Sequence, residues 1–326
     1  MIGAGRIPVI DVGPLTDPAE SIQSKMRCAS NIGSACETYG FFYIINHGIA
    51  EESRRRMFDV ARRFFDLPES TKLQLRLADN SQFRGYVPVC GEVTAEKRDW
   101  HECLDIQPLS RRARGVCTAD EAGQHILDDP GQWPPGVAGF AEAVMRAWDE
   151  RIALADTLVE GLAMSLGVDP GFFHPFMGVE LCDLRLSHYP PAVADAVVDV
   201  DAGMGAHVDL GFLAILDQDD VGGLEVETSD GLWVDAPHVP GAYLVNVGLM
   251  MQRWTNGRYR AAKHRVRLPR DRSRYSIPFF YEPRADAVVA PLDVCCDEDD
   301  PPRYPPCRFG DFLGAAFTRA YREAVR

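Results

Sequence analysis

Three side chains carry the sharpest chemical signal in this 326-residue sequence: His207, Asp209 and His264. Two imidazoles and one carboxylate can hold one face of an octahedral Fe(II) ion and leave the opposite face open to substrate and oxygen. The same ligand types also hold zinc, and spacing alone leaves both metals open. Arg274 and Ser276 follow, ten and twelve positions after His264. A guanidinium fork beside a hydroxyl is a receptor for a carboxylate. Triad followed by clamp points to a metal site that takes a carboxylate-bearing co-substrate.

Such a site needs strands to present it. Residues i and i+2 of a strand share a face. His207 with Asp209, and Arg274 with Ser276, are therefore expected as same-face pairs, with His264 arriving from a neighbouring strand. From about residue 181 the chain reads as short β runs: Asp183–Tyr189, Phe212–Leu216, Leu224–Glu227, Leu232–Asp235, Tyr243–Val247, His264–Leu268 and Tyr275–Tyr281. Gly222-Gly223 and Ser229-Asp230-Gly231 supply turns. This density of short strands suggests a sandwich or barrel.

The N-terminal part mixes strand and helix signals. Ile7–Asp11 and Phe41–Ile45 read as strands. Apolar residues at helical spacing mark helices over Ser21–Tyr39, Glu51–Phe65 and Val137–Leu166, and a last helix is expected from Phe309 to Val325. Breakers and charges crowd residues 107–136, which read as loop. The expected division is an N-terminal region at 1–110, a connecting loop and long helix at 111–180, the metal-bearing core at 181–290, and a C-terminal loop and helix at 291–326.

Composition narrows the function classes. A formal net charge of −14 disfavours binding to nucleic acid or an anionic membrane. Basic runs at Arg54–Arg56 and Arg111–Arg114 read as solvated surface. Nine cysteines without a C-x-x-C pair fit free thiols in a reducing compartment. With no signal sequence and no apolar run of the ~20 residues that span a bilayer, a cytoplasmic protein is expected.

The sequence resembles the Fe(II)/2-oxoglutarate-dependent dioxygenases of the isopenicillin N synthase-like group. The resemblance runs through Ile7-Pro8-Val9-Ile10-Asp11, Gly40–Gly48, Phe64–Pro68, His188-Tyr189-Pro190-Pro191, His207–Val226, Gln252–Val266 and Arg274–Phe280. It implies a mixed α/β fold with a mainly β core, a double-stranded β-helix (jelly-roll) flanked by N-terminal helices and a C-terminal helix. It implies His207, Asp209 and His264 as iron ligands, Arg274 and Ser276 on the far carboxylate of 2-oxoglutarate, and Tyr189 beside that co-substrate. The implied reaction consumes O2 and 2-oxoglutarate, releases succinate and CO2, and oxidises a small molecule of specialised or amino-acid metabolism, most commonly by hydroxylation.

Cyclisation, desaturation and ring expansion are alternative outcomes, and isopenicillin N synthase itself works without 2-oxoglutarate. A non-catalytic binding protein on the same fold is the reading of another class; the intact triad and clamp argue against it. Val208, Ser187 and Leu249 depart from the group's usual threonine, asparagine and aspartate. Phe279, Phe280 and Leu216 are candidates for an apolar lining near the metal.

Overall fold

The structure is a computed structural model that describes residues 6–76, 85–107, 133–192 and 202–324. The Arg111–Arg114 run and most of the 107–136 loop lie outside the described residues.

Two sheets form the frame. The larger takes β1 (Val9–Asp11), β2 (Phe41–Ile45), β3 (Gly85–Val87), β6 (Glu102–Ile106), β7 (Asp183–Tyr189), β9 (Leu213–Gln218), β12 (Tyr243–Val247) and β14 (Arg274–Tyr281). The smaller takes β8 (Met204–His207), β10 (Leu224–Glu227), β11 (Trp233–Asp235) and β13 (His264–Val266). The eight strands of the larger sheet lie in the order β1-β2-β12-β9-β14-β7-β6-β3, and the four of the smaller in the order β11-β10-β13-β8. A hairpin of β4 (Val93–Thr94) and β5 (Lys97–Arg98) lies between β3 and β6 in the chain. With flanking helices this is the mixed α/β, mainly β, jelly-roll architecture that the resemblance implies.

Helices cover the outer face of the larger sheet. α1 (Ile22–Thr38) starts where the Ser21 side chain accepts from Ser24 N, and buries a stripe of Cys28, Ala29, Ile32, Ala35 and Cys36. It stops at Gly40, whose φ of +69° suits glycine; a Cβ there would meet the Arg260 carbonyl oxygen at 2.0 Å. α2 (Glu51–Phe65) carries Glu51 and Glu52 in its first turn and Arg62 and Arg63 in its last, which complements the helix dipole. α3 (Phe140–Ser165) is the long supporting helix, α4 (Leu249–Trp254) a short one, and α5 (Phe309–Ala324) closes the chain. No described helix is long and apolar enough to cross a membrane.

The main core runs from Ile10 to Phe309 and so joins the N-terminal, central and C-terminal parts. An ion pair inside it ties α2 to β9. Arg54 donates to Asp217 through Nε (3.1 Å) and Nη2 (2.7 Å), with both side chains buried. Arg54 therefore departs from the solvated surface expected of its basic run. A smaller apolar cluster fills the space between the sheets, including Phe41, Tyr189, Leu224, Val226, Leu244 and Val266.

Most expected elements recur with small shifts, a strand ending at His207 among them, and β3, β4, β5, β6 and α4 are among the additions. Asp209 departs from the same-strand expectation, because β8 ends at His207 and Asp209 lies in the segment that follows.

Candidate metal and co-substrate site

The fold gathers the triad from two segments. His264 opens β13 and pairs across the ladder with His207, the last residue of β8. Their rings stand 4.2 Å apart, centroid to centroid. Asp209 Oδ1 lies 3.7 Å from His207 Nε2 and 3.6 Å from His264 Nε2. One ligand atom from each residue falls within 4.8 Å of the others, a set that could hold a single ion.

Each group is oriented for that task. Nδ1 of His207 is bonded to the Gly205 carbonyl (2.9 Å) and Nδ1 of His264 to the Ala262 carbonyl (3.2 Å). Carbonyls only accept, so each Nδ1 carries its proton and each Nε2 presents a lone pair to the gap. Burial, with the facing His207, pulls the His264 pKa down to about 4, so the ring is neutral at ordinary pH. Asn246 Nδ2 donates to Asp209 Oδ2 at 2.6 Å and leaves Oδ1 facing the histidines. Leu249 N donates to the Asp209 carbonyl at 2.9 Å, and the Leu249 side chain packs on the main core. The Leu249 position therefore supports Asp209 through backbone. Asn246 is a site residue that sequence reasoning misses. Its signal is slight: an amide on the strand that runs into the Leu249 departure.

The second expected group lies on the same inner face. β14 sits between β7 and β9, with Arg274 opposite Tyr189 and Ser276 opposite both Ser187 and Gln218. Arg274 is 1% exposed. It donates to the Gly222 carbonyl (2.9 Å), Ser276 Oγ (3.1 Å) and Gln218 Oε1 (3.2 Å), and its guanidinium lies 4.8 Å from the Tyr189 ring centroid. A guanidinium has five N–H donors, so this geometry keeps donors for a ligand carboxylate. Tyr189 hydrogen-bonds with Ser276, and burial raises its pKa, so it remains a neutral phenol.

The apolar candidates divide. Phe279 is fully buried on the helix side, its ring edge-on to Trp148 at 5.2 Å, so it does not line the site. Phe280 shares the inner face with Arg274 and Ser276 by strand alternation, and Leu216 joins the inter-sheet cluster.

A second set of ligand types, Glu92, His101 and Cys103, also comes together. Glu92 is already bonded to His101 Nε2 (3.0 Å) and to both Nη atoms of Arg185 (3.0 Å each). A guanidinium in that position repels a cation, so the set reads as an ion-pair network.

Two imidazoles and a carboxylate converging on one gap, with a buried arginine on the inner face of the larger sheet, form the arrangement expected of a non-haem metal oxygenase. The 2OG-Fe(II) oxygenase superfamily profile matches residues 181–283, and that of the non-haem dioxygenase in morphine synthesis N-terminal region matches residues 7–136. The chain belongs to the 2OG-Fe(II) oxygenase superfamily. A 2-oxoglutarate-Fe(II) type oxidoreductase from Emericella nidulans is 33% identical over 97% of this chain and 91% of its own length. A homoarginine-6-hydroxylase from Oryza sativa subsp. japonica is 32% identical over 89% of each. Among solved structures, a full-length Neurospora crassa protein in complex with alpha-KG and thymine superposes with a TM-score of 0.83 at 25% identity, covering 98% of this chain and 99% of that one. The protein is a 2-oxoglutarate-dependent Fe(II) dioxygenase that uses O2 as co-substrate.

Proposed function

We propose that His207, Asp209 and His264 hold the Fe(II), that Arg274 and Ser276 bind the far carboxylate of 2-oxoglutarate with Tyr189 beside it, and that the substrate is a small molecule carrying a cationic group. The convergence of both Nε2 atoms and Oδ1 on one gap supports the metal assignment. When bound, the iron supplies O2 activation coupled to decarboxylation of 2-oxoglutarate to succinate and CO2. The chain's own residues bind and orient. Asn246 aims the Asp209 carboxylate, the two backbone carbonyls fix the imidazoles, and Arg274 neutralises the co-substrate's distal charge. Phe280 and Leu216 supply inert surface beside the reaction.

The substrate class rests on one row of the larger sheet. Asn246 pairs with Ala214, Ala214 with Phe280, and Phe280 with Asp183, so Asp183 shares the inner face with the residue that holds Asp209. Asp183 is hydrogen-bonded to Asp105, which in turn binds Arg185 at 2.5 and 2.9 Å. Glu92 binds the same Arg185. The Asp183–Asp105 bond needs a shared proton, so that pair and Glu92 carry two negative charges against the one positive charge of Arg185, and the remaining negative charge favours a cation. The homoarginine-6-hydroxylases among the relatives act on a substrate of that charge. Hydroxylation is the outcome we infer, and free cysteines at all eight described positions support a cytoplasmic location.

Two measurements test this. Anaerobic Fe(II) protein mixed with 2-oxoglutarate is expected to show a visible charge-transfer band that Asp209→Ala abolishes; an unchanged band in that variant removes the ligand assignment. Succinate release is then followed across cationic amino acids, neutral pyrimidines and organic acids. Stimulation by the neutral or acidic compounds alone removes the cationic substrate.

A further inference from the structure

β8 is the least supported strand at the site. It is four residues long, lies at the edge of the smaller sheet, and pairs with β13 at only His264↔His207 and Val266↔Met204, with a register shift between them. His264, by contrast, starts a strand paired on both sides, since Val226 of β10 lies opposite it. A short edge strand alone fixes a side chain poorly.

Asp99-Trp100-His101, between β5 and β6, covers that open edge. Trp100 N donates to the Ala202 carbonyl (3.2 Å), and its indole Nε1 to the Pro190 carbonyl (2.9 Å). His101 Nδ1 bonds the Gly203 carbonyl at 3.1 Å. Asp99 is 1% exposed; its Oδ1 accepts from Gly205 N at 2.8 Å and its Oδ2 from Thr94 Oγ1 at 2.6 Å. The approach is close: a Cβ on Gly205 would stand 2.9 Å from Thr94 Cβ and 3.0 Å from the Thr94 carbonyl oxygen. The carbonyl of that same Gly205 accepts from His207 Nδ1.

The geometry points to Asp99 as the positioning residue for His207, acting through Gly205. The carboxylate fixes the Gly205 amide by a buried, charge-assisted hydrogen bond, and the Gly205 carbonyl in turn fixes the imidazole tautomer and ring plane. A residue from the N-terminal part thereby gives the edge-strand histidine the rigidity that His264 gains from its two strand neighbours. The inference rests on the reading of His207 as a metal ligand.

The test is titration of the metal-free protein with Co(II), read from its visible absorption. Asp99→Ala is expected to weaken Co(II) binding by about tenfold, the lower end of the effect of removing a direct partner of a ligand histidine, because Asp99 acts one bond further out through Gly205. Asp99→Asn keeps an oxygen for the Gly205 amide and is expected to stay near wild type. Wild-type affinity in Asp99→Ala, or equal losses in both variants, overturns the role. If Asp99→Ala does not fold, hydrogen exchange on the metal-free wild-type protein decides: Gly205 N–H is expected to be protected before metal arrives, and free exchange there overturns it. His207→Ala separates the two readings. Unimpaired Co(II) binding in that variant sinks the ligand assignment itself.

Discussion

Asp209 has two carboxylate oxygens with two different tasks. Oδ2 takes the Asn246 amide at 2.6 Å, which leaves Oδ1 between the two Nε2 atoms. Asn246→Ala frees the carboxylate to rotate and is expected to weaken Co(II) binding about ten- to a hundredfold in the same titration. Arg274→Ala is expected to weaken 2-oxoglutarate binding by about 1.5–3 kcal/mol through loss of a charge-assisted pair, measured as the concentration that half-saturates the charge-transfer band. An unchanged midpoint would mean the distal carboxylate lies elsewhere. The depressed His264 pKa carries a sign. Its value falls from 6.5 to about 4 on folding, so between those values the unfolded chain binds a proton that the native protein excludes. Stability of the metal-free protein therefore falls as pH drops through that window and is undiminished above it. Urea denaturation across the range is expected to show a shallower decline in His264→Asn than in wild type.

At the scale of elements, β14 shows what a two-faced strand does. Arg274, Ser276 and Phe280 face the site, while Ile277, Phe279 and Tyr281 face the helices as part of the main core. The alternation that pairs Arg274 with Ser276 also sets Phe279 and Phe280 on opposite faces. Only one of the two phenylalanines can line the site, and the Trp148 contact assigns Phe279 to the core. The Arg54–Asp217 pair joins α2 to the neighbouring β9, and Arg151 of α3 stands 3.9 Å from the same carboxylate. Asp217→Ala removes the buried partner of Arg54 and leaves it the exposed Glu51 at 3.0 Å, and is expected to cost about 3 kcal/mol of stability by chemical denaturation. A loss of under about 1 kcal/mol would show that water serves Arg54 as well as Asp217 does.

Across the whole molecule, one core holds residues from Ile10 to Phe309, and the larger sheet takes strands from both the N-terminal and central parts. Metal-free protein is therefore expected to unfold in one transition by calorimetry; separate transitions would show that the N-terminal part is an independent unit. The chemistry is legible in the sequence because it depends on residue type and on spacing within segments: two imidazoles, a carboxylate, and an arginine two positions from a serine. The helices and most strands are legible because their apolar period is local. Tertiary structure alone decides which distant segments meet. Gly205 lies 106 positions from Asp99, and Arg185 lies 93 from Glu92. Such pairings follow from strand order and register, which depend on the packing of the whole core and leave no mark in the spacing of any one segment.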